Sequence, residues 1–241
     1  MTGVQTCALP ICTTRVRVAV RTQPWPLEGV VAEEERKGHD MLLIGLERTT
    51  SGLNAFDARL SRVALSFGGP VAVMRVGGKQ ATQPTQGKLN ILVPVTGTAV
   101  SRRGVEIALT LARASNAKCT ALIVAGEARP SRKWRPLRQW TARHREIAIL
   151  RDTIELADSL NAHIKTVTRV DEPPEDAIMR EVKRAGHDLI VIGVSRHPGD
   201  ALFLGELASS ILEHNEVSVL FLASESYGHT GASAAAAQLA P

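Results

Sequence analysis

From residue 88 onward the chain switches repeatedly between short apolar runs and helical periodicity. Leu89 to Val95 (LNILVPV) is a short apolar run, the pattern of a strand buried on both faces. A helical stretch follows to about Asn116, with Val105, Ala108, Leu109 and Ala112 on one face and Ser101 able to cap it. Cys119 to Val124 reads as a second strand. A long helix follows from about Thr141 to Asn161, with Ile147, Leu150, Ile154, Ala157 and Leu160 at helical spacing, and Ile164 to Val170 alternates as a third strand. Pro173 and Pro174 stand where prolines open helices, and Glu175 and Asp176 suit the positive end of the helix dipole. That helix presents Ile178, Val182 and Ala185, and Gly186 ends it. Strands alternating with helices of this length predict right-handed crossovers and a parallel sheet covered on both faces. Residues 88–224 are therefore read as a complete five-stranded α/β unit.

The same pattern occurs earlier in shortened form. Gly38-His39-Asp40-Met41-Leu42-Leu43-Ile44-Gly45-Leu46 recurs as Gly186-His187-Asp188-Leu189-Ile190-Val191-Ile192-Gly193-Val194, each after an amphipathic helical stretch. Each copy leads through a loop and a helical stretch to a short apolar strand, Val71 to Val76 in the first and Val217 to Leu222 in the second. The first copy holds only the equivalents of three strands and two helices: Arg15–Val20, Pro26–Lys37, Asp40–Leu46, Ala55–Ser66 and Val71–Val76. Residues 13–77 are thus expected to be a truncated half of the unit, with the missing half upstream. Residues 78–87 (GKQATQPTQG) read as a flexible linker, and the low-complexity tail over 225–241 as disordered. Residues 1–12 are read as non-native, because Thr2 to Ile11 (TGVQTCALPI) resembles the translation of a sequencing-library adapter; the alternative is a natural, weakly structured N-terminus.

Composition narrows the function classes. Hydrophobic types are 44% of the 241 residues, enough for a core, and no apolar run approaches the roughly 18 residues of a spanning helix. Aromatics at 3% argue against a base-stacking surface for nucleic acid. Cys7, Cys12 and Cys119 are odd in number and lack ligand spacing, which fits neither a disulfide framework nor a zinc site and suits a reducing compartment. Gly193-x-Ser195 lacks the second glycine of a nucleophile elbow, His197 standing there instead. The histidines show no metal spacing, and no Walker or GxGxxG motif is present. His39 and His187 are read as strand-entry residues. No enzyme class is indicated.

The segment Arg129 to Arg145 (RPSRKWRPLRQWTARHR) carries seven Arg/Lys, two of the three tryptophans and no acid. Removing those seven charges takes the formal balance from +5 to −2, so the basic character of the chain comes from here. It reads either as a solvated loop between the second strand and second helix or as a contact for anionic headgroups or an acidic partner. In the second case Arg132, Lys133, Trp134, Arg135, Arg138 and Trp140 make the contact. Nucleic acid is not expected, since no recognised binding motif accompanies the charge.

The run NILVPVTGT followed by a helix, closed by HDLIVIGV and a glycine-bearing loop, resembles a universal stress protein domain over the whole of 88–224 and, truncated, over 13–77. More narrowly, ILVPVTGTAVSRRGVEIALTLARA and KGHDMLLIGL resemble the tandem stress-protein region at the cytosolic C-terminus of bacterial monovalent cation/proton antiporters. The resemblance implies a doubly wound sheet of strand order 3-2-1-4-5, with any ligand in the crevice at the carboxyl strand ends where the order reverses. There the crevice would be flanked by Val95, Thr96 and Gly97 after the first strand and by Gly193, Ser195 and Arg196 after the fourth, with Gly205 and Glu206 further on. ATP-binding members carry an aspartate after the first strand and Gly-x2-Gly-x9-Gly-Ser/Thr after the fourth, whose N–H groups cradle phosphates. Here Thr96 replaces the aspartate, Arg196 the second glycine and Glu206 the hydroxyl residue, while Gly193 and Gly205 match with the spacing one shorter. Glu206 at a helix N-terminus repels phosphate, which Arg196 offsets in part.

These features predict a non-enzymatic, cytosolic regulatory or ligand-sensing module, a soluble fragment of an antiporter of the bacterial inner membrane. It would dock on the parent's membrane domain, with no firm cofactor and with ATP or another adenine nucleotide as the candidate ligand. The alternatives are a free-standing stress protein binding ATP or AMP, and a ligand-free scaffold dimerising through sheet edges. The truncation also predicts strands without their usual neighbours, satisfied by pairing with the edge of the complete unit or with a second copy.

Overall fold

A computed structural model describes residues 4–5, 18–19, 26–46, 58–77, 88–125, 135–170, 172–196, 205–214 and 217–225. In chain order these form β1 (Val4–Gln5), β2 (Val18–Ala19), α1 (Leu27–Glu35), β3 (Leu42–Leu46), α2 (Ala58–Leu65) and β4 (Val71–Arg75). There follow β5 (Asn90–Val95), α3 (Ala99–Ser115), β6 (Lys118–Ala125), α4 (Arg135–Ser159), β7 (Lys165–Val170) and α5 (Pro174–Ala185). The last three are β8 (Leu189–Arg196), α6 (Gly205–His214) and β9 (Ser218–Glu225), the last residue of which falls in the segment read as tail. The linker over 78–87 and residues 226–241 lie outside the described residues.

Seven strands form one sheet in the order β3-β4-β9-β8-β5-β6-β7. From β5 to β9 this is the doubly wound order 3-2-1-4-5, with every neighbouring pair parallel. The expected five-stranded sheet is therefore extended by two strands. β4 pairs antiparallel with β9, Val73 opposite Phe221, and β3 pairs parallel with β4. Of the two ways expected to satisfy the truncated half, the structure uses pairing with the edge of the complete unit, through β4 on β9; β3, among the described residues, is paired on one side, with β4. Of the strand expected at 15–20, Val18 and Ala19 are described; they form β2, which pairs antiparallel with β1 in a two-stranded ribbon separate from the large sheet.

Each central strand buries both faces, which is why its sequence reads as a continuous apolar run. One face sets Leu92, Leu122, Ile190, Val219 and Phe221 against α5 and α6, and extends over Val71 and Val73 to Ala64 and Phe67 at and beyond α2. The other sets Ile91, Val93, Ile123, Val191 and Leu222 against Leu109 of α3 and Leu156 of α4. That second face runs out at the sheet's β3 end, where Ala72 is still buried but Leu43 is 65% exposed. Polar locks reinforce the antiparallel junction: Arg75 donates from Nη2 to the Val217 carbonyl, and the Gly77 N–H donates to Ser218 Oγ.

At the ends of α3 and α5 the caps follow the sequence with one correction. Thr98, not Ser101, is the N-cap of α3, its side chain accepting from the Ser101 N–H, and left-handed Asn116 closes the helix. At α5, Pro173 precedes Pro174 at the first helical position and Gly186 terminates in the left-handed region at φ 64°. Glu181, fully buried on α5, accepts from Arg184 and Arg169, and the hydrogen bonds from Arg184 chiefly hold its carboxyl down at about 2. His187 is a buried strand-entry residue whose ring nitrogens have no hydrogen-bond partner, and burial pushes its pKa down. His39, at the equivalent place before β3, is exposed beside Glu34.

Candidate functional site

β5 and β8 are neighbours at the centre of the sheet, and the connections that follow them lead to helices on opposite faces. Their carboxyl ends form the switch-point crevice of a doubly wound sheet. Val95 ends β5, Thr96 and Gly97 follow it, Gly193, Ser195 and Arg196 lie in the last four residues of β8, and Gly205 and Glu206 open α6. For Ser195, Arg196, Gly205 and Glu206 only the backbone is described.

The described part of the crevice is occupied by the protein's own packing. The Thr96 N–H donates to Ser101 Oγ at 3.0 Å, and the hydroxyls of Thr96 and Thr98 are 3.1 Å apart. Ser101 is buried, so this bond ties the loop after β5 to the first turn of α3. Gly97 has φ +76°, a left-handed turn that favours glycine, and a Cβ there would stand 2.7 Å from Ile149 Cγ1 of α4. A Cβ on Gly193 would overlap the carbonyl oxygen of Val100 and stand 2.5 Å from its carbon. Gly104, one turn along α3, approaches the Gly193 N–H from the same side, with its Cβ position 3.4 Å from that nitrogen. Gly193 is therefore the place where α3 crosses β8 at close range.

Beside this contact, a cavity of about 90 Å³ is lined by Gly97, Thr98, Arg102, Ile149, Asp152 and Thr153. Small-molecule sites typically span about 300–1,000 Å³, so the cavity is small for a nucleotide. An Arg102–Asp152 ion pair joins α3 to α4 beside it, and the hydrogen bond that Arg102 donates to the Asp152 carboxylate raises the Arg102 pKa further. The position where nucleotide-binding members place a carboxylate holds the Thr96 hydroxyl. Chemically the described crevice offers hydroxyls and a paired arginine. Among the described residues no group of three His, Cys, Asp or Glu is placed to hold a metal. Cys119 is buried and its thiol is pushed up to about 12, which keeps it protonated and unreactive.

The profile of the universal stress protein family matches residues 89–222. The chain belongs to the universal stress protein family. No curated protein sequence matches it. Among solved structures it is similar to a universal stress protein from Archaeoglobus fulgidus DSM 4304, at 13% identity and TM-score 0.54 over 81% of this chain and 66% of that one. It is also similar to universal stress protein UspA from Lactobacillus plantarum, at 23% identity and TM-score 0.47 over 56% and 99% of the two chains. A third is a stress-protein family member from Arabidopsis thaliana solved with AMP bound, at 21% identity and TM-score 0.43 over 56% and 92%. The archaeal likeness extends beyond the family-matched residues of this stress-protein chain.

The second candidate surface, the basic segment, is only partly a loop. α4 begins at Arg135, about six residues before the sequence pattern suggests, and places Arg135, Arg138 and Trp140 within the helix. Pro136 near a helix start is compatible with this, and the absence of an apolar period before residue 147 hid it. Arg132, Lys133 and Trp134 lie outside the described residues. Sequence reading also missed Val100, Gly104 and Asp152, whose roles arise only when α3 is laid against β8 and α4. The repeated use of small residues at the start of α3 was the available signal.

Proposed function

We propose that this stress-protein chain is a non-enzymatic regulatory module, the cytosolic tail of a bacterial monovalent cation/proton antiporter, whose crevice does not serve as an ordinary ATP site. The observation that carries the second half is the crevice itself: Thr96 stands for the carboxylate, its N–H is taken by Ser101, and Gly193 is filled by Val100. The residues present do not fit the nucleotide. The antiporter context is supported by the stretches ILVPVTGTAVSRRGVEIALTLARA and KGHDMLLIGL. No described helix is long and apolar enough to cross a membrane, so transport is assigned to another part of the parent. Regulation then works by docking, with the module biasing the transporter between conformations it binds unequally.

The test uses proteoliposomes holding a bacterial cation/proton antiporter stripped of its own C-terminal region. Adding this chain is expected to change the rate of proton-coupled cation flux saturably. Unchanged flux together with no co-sedimentation on those liposomes beyond that on empty ones would remove the antiporter assignment.

A second reading, a free-standing stress protein that binds an adenine nucleotide, is favoured by Gly193 and Gly205, which match two glycines of the phosphate loop. The Arabidopsis thaliana protein was solved with AMP and another universal stress protein in complex with cAMP. In that reading Thr96, Ser195 and Arg196 take the polar contacts. Titration of the intact chain with ATP separates the two readings.

A further inference from the structure

α4 is longer than the sheet it packs on. Its 25 residues span about 37 Å, whereas β6 with eight spans about 26 Å. As a crossover helix it runs antiparallel to the strands and starts at their carboxyl ends. Ile149 lies against Gly97, just past the end of β5, and Thr153, Leu156 and Ala157 are buried further along. The fourteen residues of α4 before Ile149, about 21 Å of helix, therefore run on past the carboxyl edge of the sheet.

This overhang has its own chemistry. Between Arg135 and Arg145 it carries Arg135, Arg138, Arg143 and Arg145 with His144, and no acid. The helix also bears a second apolar row, away from the core. Ile147 is 52% exposed and Ile154 is 44% exposed, seven residues apart on one side of the helix, while Ile149, Thr153 and Leu156 turn to the protein. Trp140 stands seven residues before Ile147 in the sequence of the same helix. Cations clustered at one end of a helix, with Ile147 and Ile154 exposed further along it, are what an interfacial helix presents to a charged bilayer.

We propose that the outward face of α4 docks on the headgroup layer of an anionic phospholipid bilayer, with the arginines on lipid phosphates and Ile147 and Ile154 entering the interface. Charge of one sign over the first eleven residues of the helix selects the anionic surface. Apolar side chains strung along one row, rather than gathered into a patch, suit a planar layer better than a protein pocket. The inference holds for the chain alone, whether or not the antiporter reading stands.

The test is flotation of the intact chain with vesicles of phosphatidylcholine alone and with about one-third phosphatidylglycerol, in low and in high salt. Binding is expected only to the anionic vesicles, and salt is expected to reverse it. Each Arg→Gln change at 135, 138, 143 or 145 should weaken it about fivefold. The pair Ile147→Ser with Ile154→Ser should weaken it about tenfold at unchanged charge. Both residues are exposed, and an unchanged circular dichroism spectrum will show that the fold is kept. No binding, equal binding to both vesicles, or full binding by the serine pair would overturn the proposal. Tighter binding to single-stranded RNA than to anionic vesicles would overturn it in favour of nucleic acid.

Discussion

Replacing Gly193 by alanine is expected to destabilise the chain by about 3 kcal/mol, the upper end of the overpacking range. The added methyl group lands on the carbonyl of Val100, which is backbone in the first turn of α3 and cannot rotate away. α3 would have to lift from β8, disturbing Ser101 and the loop at Thr96 that it holds. Gly104→Ala, across the same junction, is the control. Its Cβ position meets nothing closer than 3.4 Å, and alanine is favoured over glycine in a helix by about 1 kcal/mol. Urea denaturation should therefore show one glycine intolerant and its partner tolerant. Equal tolerance of both would mean that Gly193 is not a packing residue and is free to serve a phosphate.

Phe67→Ala is expected to cost about 3–5 kcal/mol and to loosen the complete unit along with the shorter one. Phe67 is 3% exposed and belongs to the same core as Val219 and Phe221 of β9. β4 closes the edge of β9 with an antiparallel ladder over Val71–Arg75. Amide exchange in β4 should accordingly be as slow as in β9, with β3 faster at its unpaired side. In the variant, protection in β4, β9 and β8 should fall together. Deleting residues 1–87 should promote association, because it uncovers β9; a half unit that merely exposed its own strands would do the opposite. Unchanged exchange in β8 and β9 on Phe67→Ala would separate the two segments energetically.

Periodicity carried most of the fold. LNILVPV and HDLIVIGV could be read as strands buried on both faces because each lies between helices, and Pro174 and Gly186 marked the ends of α5 within a residue. The antiparallel β4–β9 junction was one of two solutions left open by the sequence, since strand pairing depends on which edges meet and leaves no local signature. The start of α4 was missed because no apolar period runs through RPLRQWTARHR before Ile147. Thr96, Gly193 and Gly205 were placed by the family resemblance; Thr96 follows β5 and Gly205 opens α6, but Gly193, expected after the fourth strand, lies within β8. What Gly193 does there was not legible, because glycine serves close packing and phosphate approach equally and only the position of Val100 distinguishes them. Glu181 was invisible for a related reason: its burial rests on Arg169, which comes from a strand rather than from its own helix.

In the proposed reading, the crevice between β5 and β8 is given over to packing. Isothermal titration of the intact chain with ATP tests it most directly, with Glu206→Ser as a companion that restores the hydroxyl at the start of α6. No saturable heat is expected for the chain up to about millimolar ATP, and little gain from Glu206→Ser while Val100 and Ile149 fill the space. Saturable binding in the low micromolar range would contradict it and establish the nucleotide-binding reading.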